Sequence, residues 1–338
     1  MTSSMERRPL GSTGVEVSPI GFGCQEVGGG YGDIDEHEFA RAVGHALDIG
    51  INLFDTAEAY GFGASEEALG RALRGRRDEA IISTKFGTGY TDRPNFRDGR
   101  AERVHASIDA SLQRLGTDHV DVYTVHWPDR DTPFEATLGA LDEVVRAGKV
   151  RFVALSNFTL DEVQACTRLR PVDVVQYPYG LFDRRMDAEM LPWCEANDVS
   201  FLGYGALAYG LLSGALAADH AFPADDWRSK TDKWGVMSPL FEHLFGPGRI
   251  ADNVAVVDDL RALAATRGHS VAQLALRWAT ATPGVTASLV GGRSVAEVDD
   301  DAAALDWTLA ADDRAAIDDI FAGHGVNPCP EQWIERGL

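Results

Sequence analysis

The chain has 338 residues, 45% hydrophobic and 25% charged, which is ordinary globular usage, argues against long disorder and suits one large α/β unit. A formal charge of −21, from 52 acidic against 31 basic residues, repels phosphate backbones and anionic lipid; nucleic acid and membrane surfaces are disfavoured as partners, and an anionic ligand needs a local basic site. Cys24, Cys166, Cys194 and Cys329 form no CxxC pair, so neither disulfides nor a metal site is signalled. No run of about eighteen apolar residues occurs and Met1–Leu10 lacks a secretory-type segment; a soluble, cytoplasmic protein is expected.

In chain order, residues 8–18, with the turn Ser12-Thr13-Gly14, read as a small β-hairpin, and Ile20–Gly23 as a first strand. Asp35 with Glu38 opens a helix whose apolar face carries Phe39, Val43 and Leu47 before Gly50 ends it. Continuously apolar runs of the kind buried on both faces follow at Ile51–Phe54, Ala80–Thr84, Val120–Val125, Val150–Leu155, Val172–Val175, Val199–Gly203 and Ser288–Val290. Among the intervening helices, Thr132-Pro133-Phe134-Glu135 has the form of a capping box with Pro at the first helical position, closed by Gly148, and Thr159 with Glu162 repeats the box. Residues 215–250, with His220, Trp227, Trp234, Pro239 and Pro247, are too many for a plain loop and are read as a lid, with surface decoration as the alternative; residues 322–338 are read as a tail. Eight strands alternating with helices predict the α/β class: one (β/α)8 TIM barrel domain over 1–338, preceded by the hairpin.

Such barrels act at the C-terminal ends of their strands. Asp55 ends the second predicted strand, Lys85 the third, His126 the fourth, Ser156-Asn157 the fifth, Gln176 the sixth and Tyr204 the seventh. Alone, Asp55 reads as a loop cap, Lys85 as a surface lysine and His126 as a core histidine; converging on one mouth, they read as a site. A carbonyl that receives hydride builds charge on its oxygen and needs a proton donor beside it. Tyr60 is the candidate. A free phenol, with a pKa near ~10, is a poor acid at neutral pH, and the Lys85 ammonium is expected to lower it. Asp55 would keep Lys85 charged, and His126 would orient the substrate oxygen. Gly61-Phe62-Gly63 is not a dinucleotide fingerprint, because Glu66 stands where the third Gly belongs, and neither GxSxG nor HExxH occurs.

Asp55-Thr56-Ala57-Glu58-Ala59-Tyr60, Thr84-Lys85 and Val125-His126-Trp127-Pro128-Asp129 resemble the tetrad motifs of the aldo-keto reductase superfamily, and the likeness runs nearly end to end through Leu10–Ser18, Gly148–Arg151, Leu155–Phe158, Val175–Tyr177 and Tyr204–Gly214. The resemblance implies carbonyl/alcohol interconversion with a nicotinamide cofactor. It assigns the carboxamide to Ser156, Asn157 and Gln176, the ring to Tyr204, and the diphosphate path to Gly205, Ala206, Leu207, Gly210 and Leu212, with Gly23, Cys24 and Asp55 beside the cofactor. Gln25 and Trp127 join Tyr60 and His126 around the substrate. The segment Gly291–Asp301 resembles the adenosine-phosphate segment and offers Gly292, Arg293, Glu297 and Asp301.

Departures from the family pattern are Gly205 for Ser, Ala215 for Lys, Glu297 for Gln or Arg, and Asp301 for Asn. Arg293 suits a 2′-phosphate while Glu297 can swing into solvent, so NADP(H) is favoured over NAD(H). Trp234 and Phe241 resemble bacterial-type members acting on small aldehydes, ketones or sugars. Two other readings stand beside this one: an NADPH-binding regulatory subunit with little turnover, and an isomerase or aldolase barrel using Lys85 as a Schiff-base nucleophile.

Overall fold

The computed structural model describes residues 5–29, 34–88, 96–224, 226–233 and 235–329. A two-stranded antiparallel hairpin, β1 (Arg8–Pro9) and β2 (Glu16–Val17), opens the chain. Eight parallel strands follow among the described residues: β3 (Ile20–Gly23), β4 (Leu53–Asp55), β5 (Ile81–Phe86), β6 (Val120–Val125), β7 (Val150–Ser156), β8 (Val174–Pro178), β9 (Ser200–Tyr204) and β10 (Val285–Gly291). β10 pairs with both β9 and β3, which closes the barrel.

Around it lie α1 (Glu36–Ile49), α2 (Ala64–Ala72), α3 (Ala101–Leu115), α4 (Phe134–Arg146), α5 (Leu160–Thr167) and α6 (Met190–Ala196). They are followed by α7 (Ser238–Phe245), α8 (Arg249–Thr266), α9 (Val271–Thr280), α10 (Val295–Ala302) and α11 (Ala311–His324). Because α11 runs to His324, the tail begins later than the expected 322, and its residues 330–338 lie outside the described residues. No helix of the described residues is long and apolar enough to cross a membrane.

The hairpin closes the end of the barrel at which the strands start. Leu10 and Val17 are fully buried against the interior side chains Leu53, Val122, Val174 and Leu202. The backbone N–H of Gly11 donates to Ser200 Oγ at 2.6 Å, and Arg8 Nη1 donates to the carbonyl of Val285 at 3.0 Å. Both partners are first residues of strands, so the opposite end alone is left for chemistry.

Several strands run further than their apolar stretches. β5 reaches Phe86, β8 reaches Pro178 and β9 reaches Tyr204, so Lys85, Gln176 and Tyr204 sit within the ladder. Pairing uses backbone groups, which a polar side chain does not interrupt. Ile51 moves the other way: its N–H bonds to the Ala46 carbonyl at 2.8 Å and finishes the end of α1, whose Gly50 cap has φ 98°. The Thr159–Glu162 capping box forms on α5 as expected. The box expected at Thr132 does not. Its hydroxyl donates to Asp129 Oδ2 at 2.6 Å, and Pro133 becomes the cap residue with no side-chain bond.

Among its described residues the insertion 215–250 forms three single helical turns, Trp227–Ser229, Thr231–Lys233 and Gly235–Met237, ahead of α7. Its aromatic residues gather on Tyr209: the Trp227 and Phe241 rings lie 5.7 and 5.1 Å from it, edge to face. Trp234 lies outside the described residues.

Candidate active site

Parallel registry brings the strand-end residues together, with Gly23 opposite Asp55, Asp55 opposite Ser83, and Ser156 opposite Gln176. Asp55 is buried and Lys85 wholly so. Lys85 Nζ donates to Asp55 Oδ2, to the Thr56 carbonyl at 2.9 Å and to Tyr60 Oη at 3.2 Å. An ammonium has three donors, and all three are used. Ser83 Oγ and Gln176 Nε2 each donate to Asp55 Oδ1 at 2.9 Å, which fixes the carboxylate. Tyr60 opens a tight turn whose Gly61 has φ 61°; a Cβ there would stand 2.2 Å from the Gly28 carbonyl oxygen, so only glycine fits. His126 follows β6, its N–H held by the Phe86 carbonyl at 3.0 Å, and its ring lies 5.9 Å from that of Tyr60, edge to face. His126 Nδ1 has no hydrogen-bond partner among the described residues.

Burial is the main influence on both rings. It pushes the Tyr60 phenol well above its ordinary value, with the Asp55 and Glu26 carboxylates adding to the rise. This corrects the expectation that Lys85 lowers it: the ammonium is paired with Asp55, and desolvation outweighs what remains of its field. Burial, helped by Lys85 and Arg97, also holds His126 well below the usual histidine range, so the ring is neutral.

The residues assigned to the carboxamide are tied to one another. Ser156 Oγ donates to the Gln176 carbonyl at 2.8 Å, Asn157 Nδ2 donates to the His126 carbonyl and to Ser156 Oγ at 3.0 Å each, and Tyr204 Oη donates to Asn157 Oδ1 at 2.9 Å. Asn157 holds φ 66°, which asparagine tolerates better than most residues. Both amide hydrogens of Asn157 are therefore used within the protein. Its oxygen keeps a second lone pair, and Gln176, bound through Nε2 to Asp55, keeps its amide oxygen as an acceptor.

Beyond Tyr204, Gly205 and Gly210 take φ 74° and 98°, Ala206 and Leu212 are buried, and Leu207 is half-buried. Two cations flank this loop that the sequence did not reveal. Arg228, from the insertion, donates to the Tyr209 carbonyl at 3.2 Å, and a Cβ on Gly210 would lie 2.9 Å from its Nη1. Arg261, on α8, donates to the Gly214 carbonyl at 2.8 Å. Arg228 is paired with Asp226, two residues before it, at 2.7 Å.

Of the remaining predicted residues, Cys24 is buried and its thiol pushed well up, while Gln25 is exposed just past β3. Gly23 approaches the Val290 carbonyl, and a Cβ on Gly292 would lie 2.7 Å from the Phe22 ring. Trp127 is half-buried under the Arg97 guanidinium, 4.8 Å away. Arg293 is exposed, and Glu297 does not stand off in solvent as expected: it pairs with Arg293 Nη2 at 2.7 Å and accepts the Arg293 N–H at 2.8 Å. Asp301 is buried, and its carboxyl is raised to about 8. Among the described residues no group of three or more His, Cys, Asp or Glu is placed to hold a metal.

The residues present are of the kinds a dinucleotide needs: amide and hydroxyl oxygens at one end, a Gly-rich loop in the middle, and the guanidiniums of Arg228, Arg261 and Arg293, each paired with an acidic side chain, Asp226, Asp258 and Glu297.

A model of the Aldo/keto reductase family matches residues 19–322. The chain is 36% identical to Aldo-keto reductase YhdN of Bacillus subtilis (strain 168) over 334 residues, 98% of each chain. Its structure is similar to that of the glycerol dehydrogenase AKR11B4 from Gluconobacter oxydans, at a TM-score of 0.84 and 34% identity over 98% of this chain and 99% of that one. It is also similar to an aldo/keto reductase from Klebsiella pneumoniae in complex with NADP and acetate, at a TM-score of 0.73 and 26% identity over 95% of each chain.

Proposed function

This chain belongs to the aldo/keto reductase family, and we propose that Asp55, Tyr60, Lys85 and His126 carry out its interconversion of carbonyl and alcohol with NADP(H). The nicotinamide, when bound, gives or takes the hydride at the substrate carbon. Neutral His126 donates an N–H to the substrate oxygen and fixes its position against Tyr60. In reduction Tyr60 passes its phenolic proton to that oxygen, and the Lys85 ammonium steadies the phenolate left behind. Oxidation runs the same proton back onto Tyr60. Asp55 keeps the ammonium in place through Oδ2, while Ser83 and Gln176 hold Oδ1.

The single observation behind this reading is the three-way donation of Lys85 Nζ. Its third N–H occupies a lone pair of Tyr60, so the phenol's own proton is free for a substrate. Ser156, Asn157 and Gln176 line the place of the carboxamide, Tyr204 offers an aromatic platform, and Trp127 and Gln25 edge the substrate space. The insertion 215–250 reaches the cofactor path through Arg228, and 1–338 acts as one domain.

The substrate is a small aldehyde, ketone, sugar or polyol, in line with the glycerol dehydrogenase among its structural relatives. NADP(H) is the cofactor in line with the NADP complex of another. Glu297, paired with Arg293, favours NAD(H) as a second reading because an acidic residue there suits ribose hydroxyls. No observation favours a regulatory subunit.

Purified protein assayed by nicotinamide absorbance in both directions, against a panel of those substrates, tests the function. Tyr60→Phe is expected to keep cofactor binding and lose at least about 10²-fold in kcat; near wild-type turnover overturns the assignment. Arg293→Ala is expected to weaken NADPH more than NADH, by about 1–3 kcal/mol, and equal weakening of both makes Glu297 the better specificity residue.

A further inference from the structure

Arg97 is held at the exit of β5, the strand that carries Lys85. Thr88 and Arg97 face each other in an antiparallel bridge, and the Asp98 N–H donates to the Gly87 carbonyl at 3.0 Å. The Arg97 guanidinium lies 4.8 Å from the ring of Trp127, the residue after His126. Its Nη1 donates to Thr88 Oγ1 and to the Phe96 carbonyl, the latter at 3.0 Å. Nε and Nη2 have no acceptor among the described residues, and neither is sealed from solvent.

In a protein of charge −21 an arginine readily finds a carboxylate, as Arg228, Arg261 and Arg293 do. Arg97 pairs with none among the described residues. Asp98, next in the chain, is held by Arg100 Nε and Nη2 at 2.9 and 2.7 Å. Asp129, two residues beyond Trp127, accepts the Gly99 N–H and the Thr132 hydroxyl at 2.9 and 2.6 Å. Glu162 is taken by Arg130 at 2.7 Å. Burial, helped by the Arg130 charge, lowers the Arg97 guanidinium to about 10, so it stays charged at neutral pH. Its field reaches His126 and disfavours the protonated ring. A partly buried cation stacked on an indole, with one edge unfilled, is costly unless a ligand completes it.

We propose that the open Nε–Nη2 edge of Arg97 is an anion subsite of the substrate space, and that the preferred carbonyl compound carries a carboxylate. This rests on the assignment of His126 and Tyr60 to the substrate oxygen made above. The same edge holds carboxylates elsewhere in the molecule: Arg100 binds Asp98 with it, and Arg228 binds Asp226 through Nε and Nη2 at 3.0 and 2.7 Å. Two parallel N–H groups match the two oxygens of a carboxylate. Trp127 keeps the guanidinium flat and shields one of its faces from water, which strengthens the contact. One cation balances a monoanion. A phosphate dianion needs a second, and Arg130 is committed to Glu162. With its carboxylate on Arg97 and its carbonyl oxygen on His126 and Tyr60, the substrate is held at two points and its reacting carbon is oriented.

The test compares glyoxylate and the semialdehydes of succinic and glutaric acid, each against its methyl ester, in reduction by the purified protein followed by nicotinamide absorbance. Wild type is expected to favour at least one acid over its ester by about tenfold or more in kcat/KM, carried by KM. In Arg97→Gln that ratio is expected to fall towards one, while Arg97→Lys, which keeps the charge without the fork, retains part of it. Succinate is expected to compete with the carbonyl substrate in wild type, and more weakly in Arg97→Gln. The wild-type ratio and the inhibition by succinate need no substitution, so they decide the matter even where a variant fails to fold. Esters reduced as well as their acids, a ratio unchanged in Arg97→Gln, or a preference for glyceraldehyde phosphate over glyceraldehyde that exceeds the preference for acids over esters overturns the proposal. The two failures separate cleanly. If acids and esters are reduced alike and Tyr60→Phe is inactive, the role of Arg97 falls alone; if no carbonyl compound is reduced, the proposed function falls and this proposal with it.

Discussion

Because the Tyr60 phenol is raised rather than lowered, it carries its proton at neutral pH and is loaded for reduction. Reduction therefore holds through the neutral range and falls only as pH climbs through the phenol's elevated value, whereas oxidation, which needs the phenolate, rises with pH. Lys85→Met removes the cation that stabilises that phenolate and leaves the Asp55 carboxylate buried without its partner. Oxidation is expected to drop by at least about 10²-fold, with its pH profile displaced to the alkaline side. An unchanged profile in that variant removes Lys85 from the mechanism.

Two threonines of similar sequence context behave differently once packed. Thr159 caps α5 and accepts from Glu162 N, so Thr159→Ala is expected to cost about 0.5–2 kcal/mol in a denaturant titration. Thr132 bonds instead to Asp129, which also accepts the Gly99 N–H at 2.9 Å. Thr132→Ala should therefore loosen the loop after β6 that follows His126 and leave α4 itself intact. The insertion makes a different claim. Its aromatic cluster on Tyr209 anchors it to the Gly-rich loop, and the Arg228 guanidinium adds a charged donor to the Tyr209 carbonyl. Arg228→Ala is expected to speed cofactor release by about tenfold in stopped flow; an unaltered off-rate returns the segment to surface decoration.

Across the molecule, stability and chemistry occupy opposite ends of the barrel. The floor is sealed by Leu10 and Val17, and the mouth carries the tetrad and the arginines. Leu10→Ala is expected to lower unfolding stability by about 2–5 kcal/mol, since it empties a fully buried site, while leaving NADPH affinity unchanged at temperatures where the variant is folded. A matching loss of cofactor affinity would show that the floor and the mouth are coupled. The charge of −21 bears on the same division, because a net acidic protein binds an anionic cofactor only where cations are concentrated.

What the amino-acid sequence determined by itself was whatever depends on local pattern. Apolar runs mark all eight strands, and polar residues at their ends mark Asp55, Lys85, His126, Ser156 and Gln176, because in a parallel barrel strand ends must converge. The Thr159 cap and the Gly50 helix stop are equally local. Only the tertiary structure decided whatever depends on burial or on contact between distant segments. Tyr60 moves up because the mouth desolvates it, a property of the closed barrel and of no single motif. Arg228 and Arg261 reach the Gly-rich loop from an insertion and from a helix with no register to that loop in the sequence. Glu26 meets Gly291 because closure sets the first barrel strand beside the last, and Glu297 meets Arg293 because one helical turn and a free backbone N–H give its carboxylate more than solvent offers.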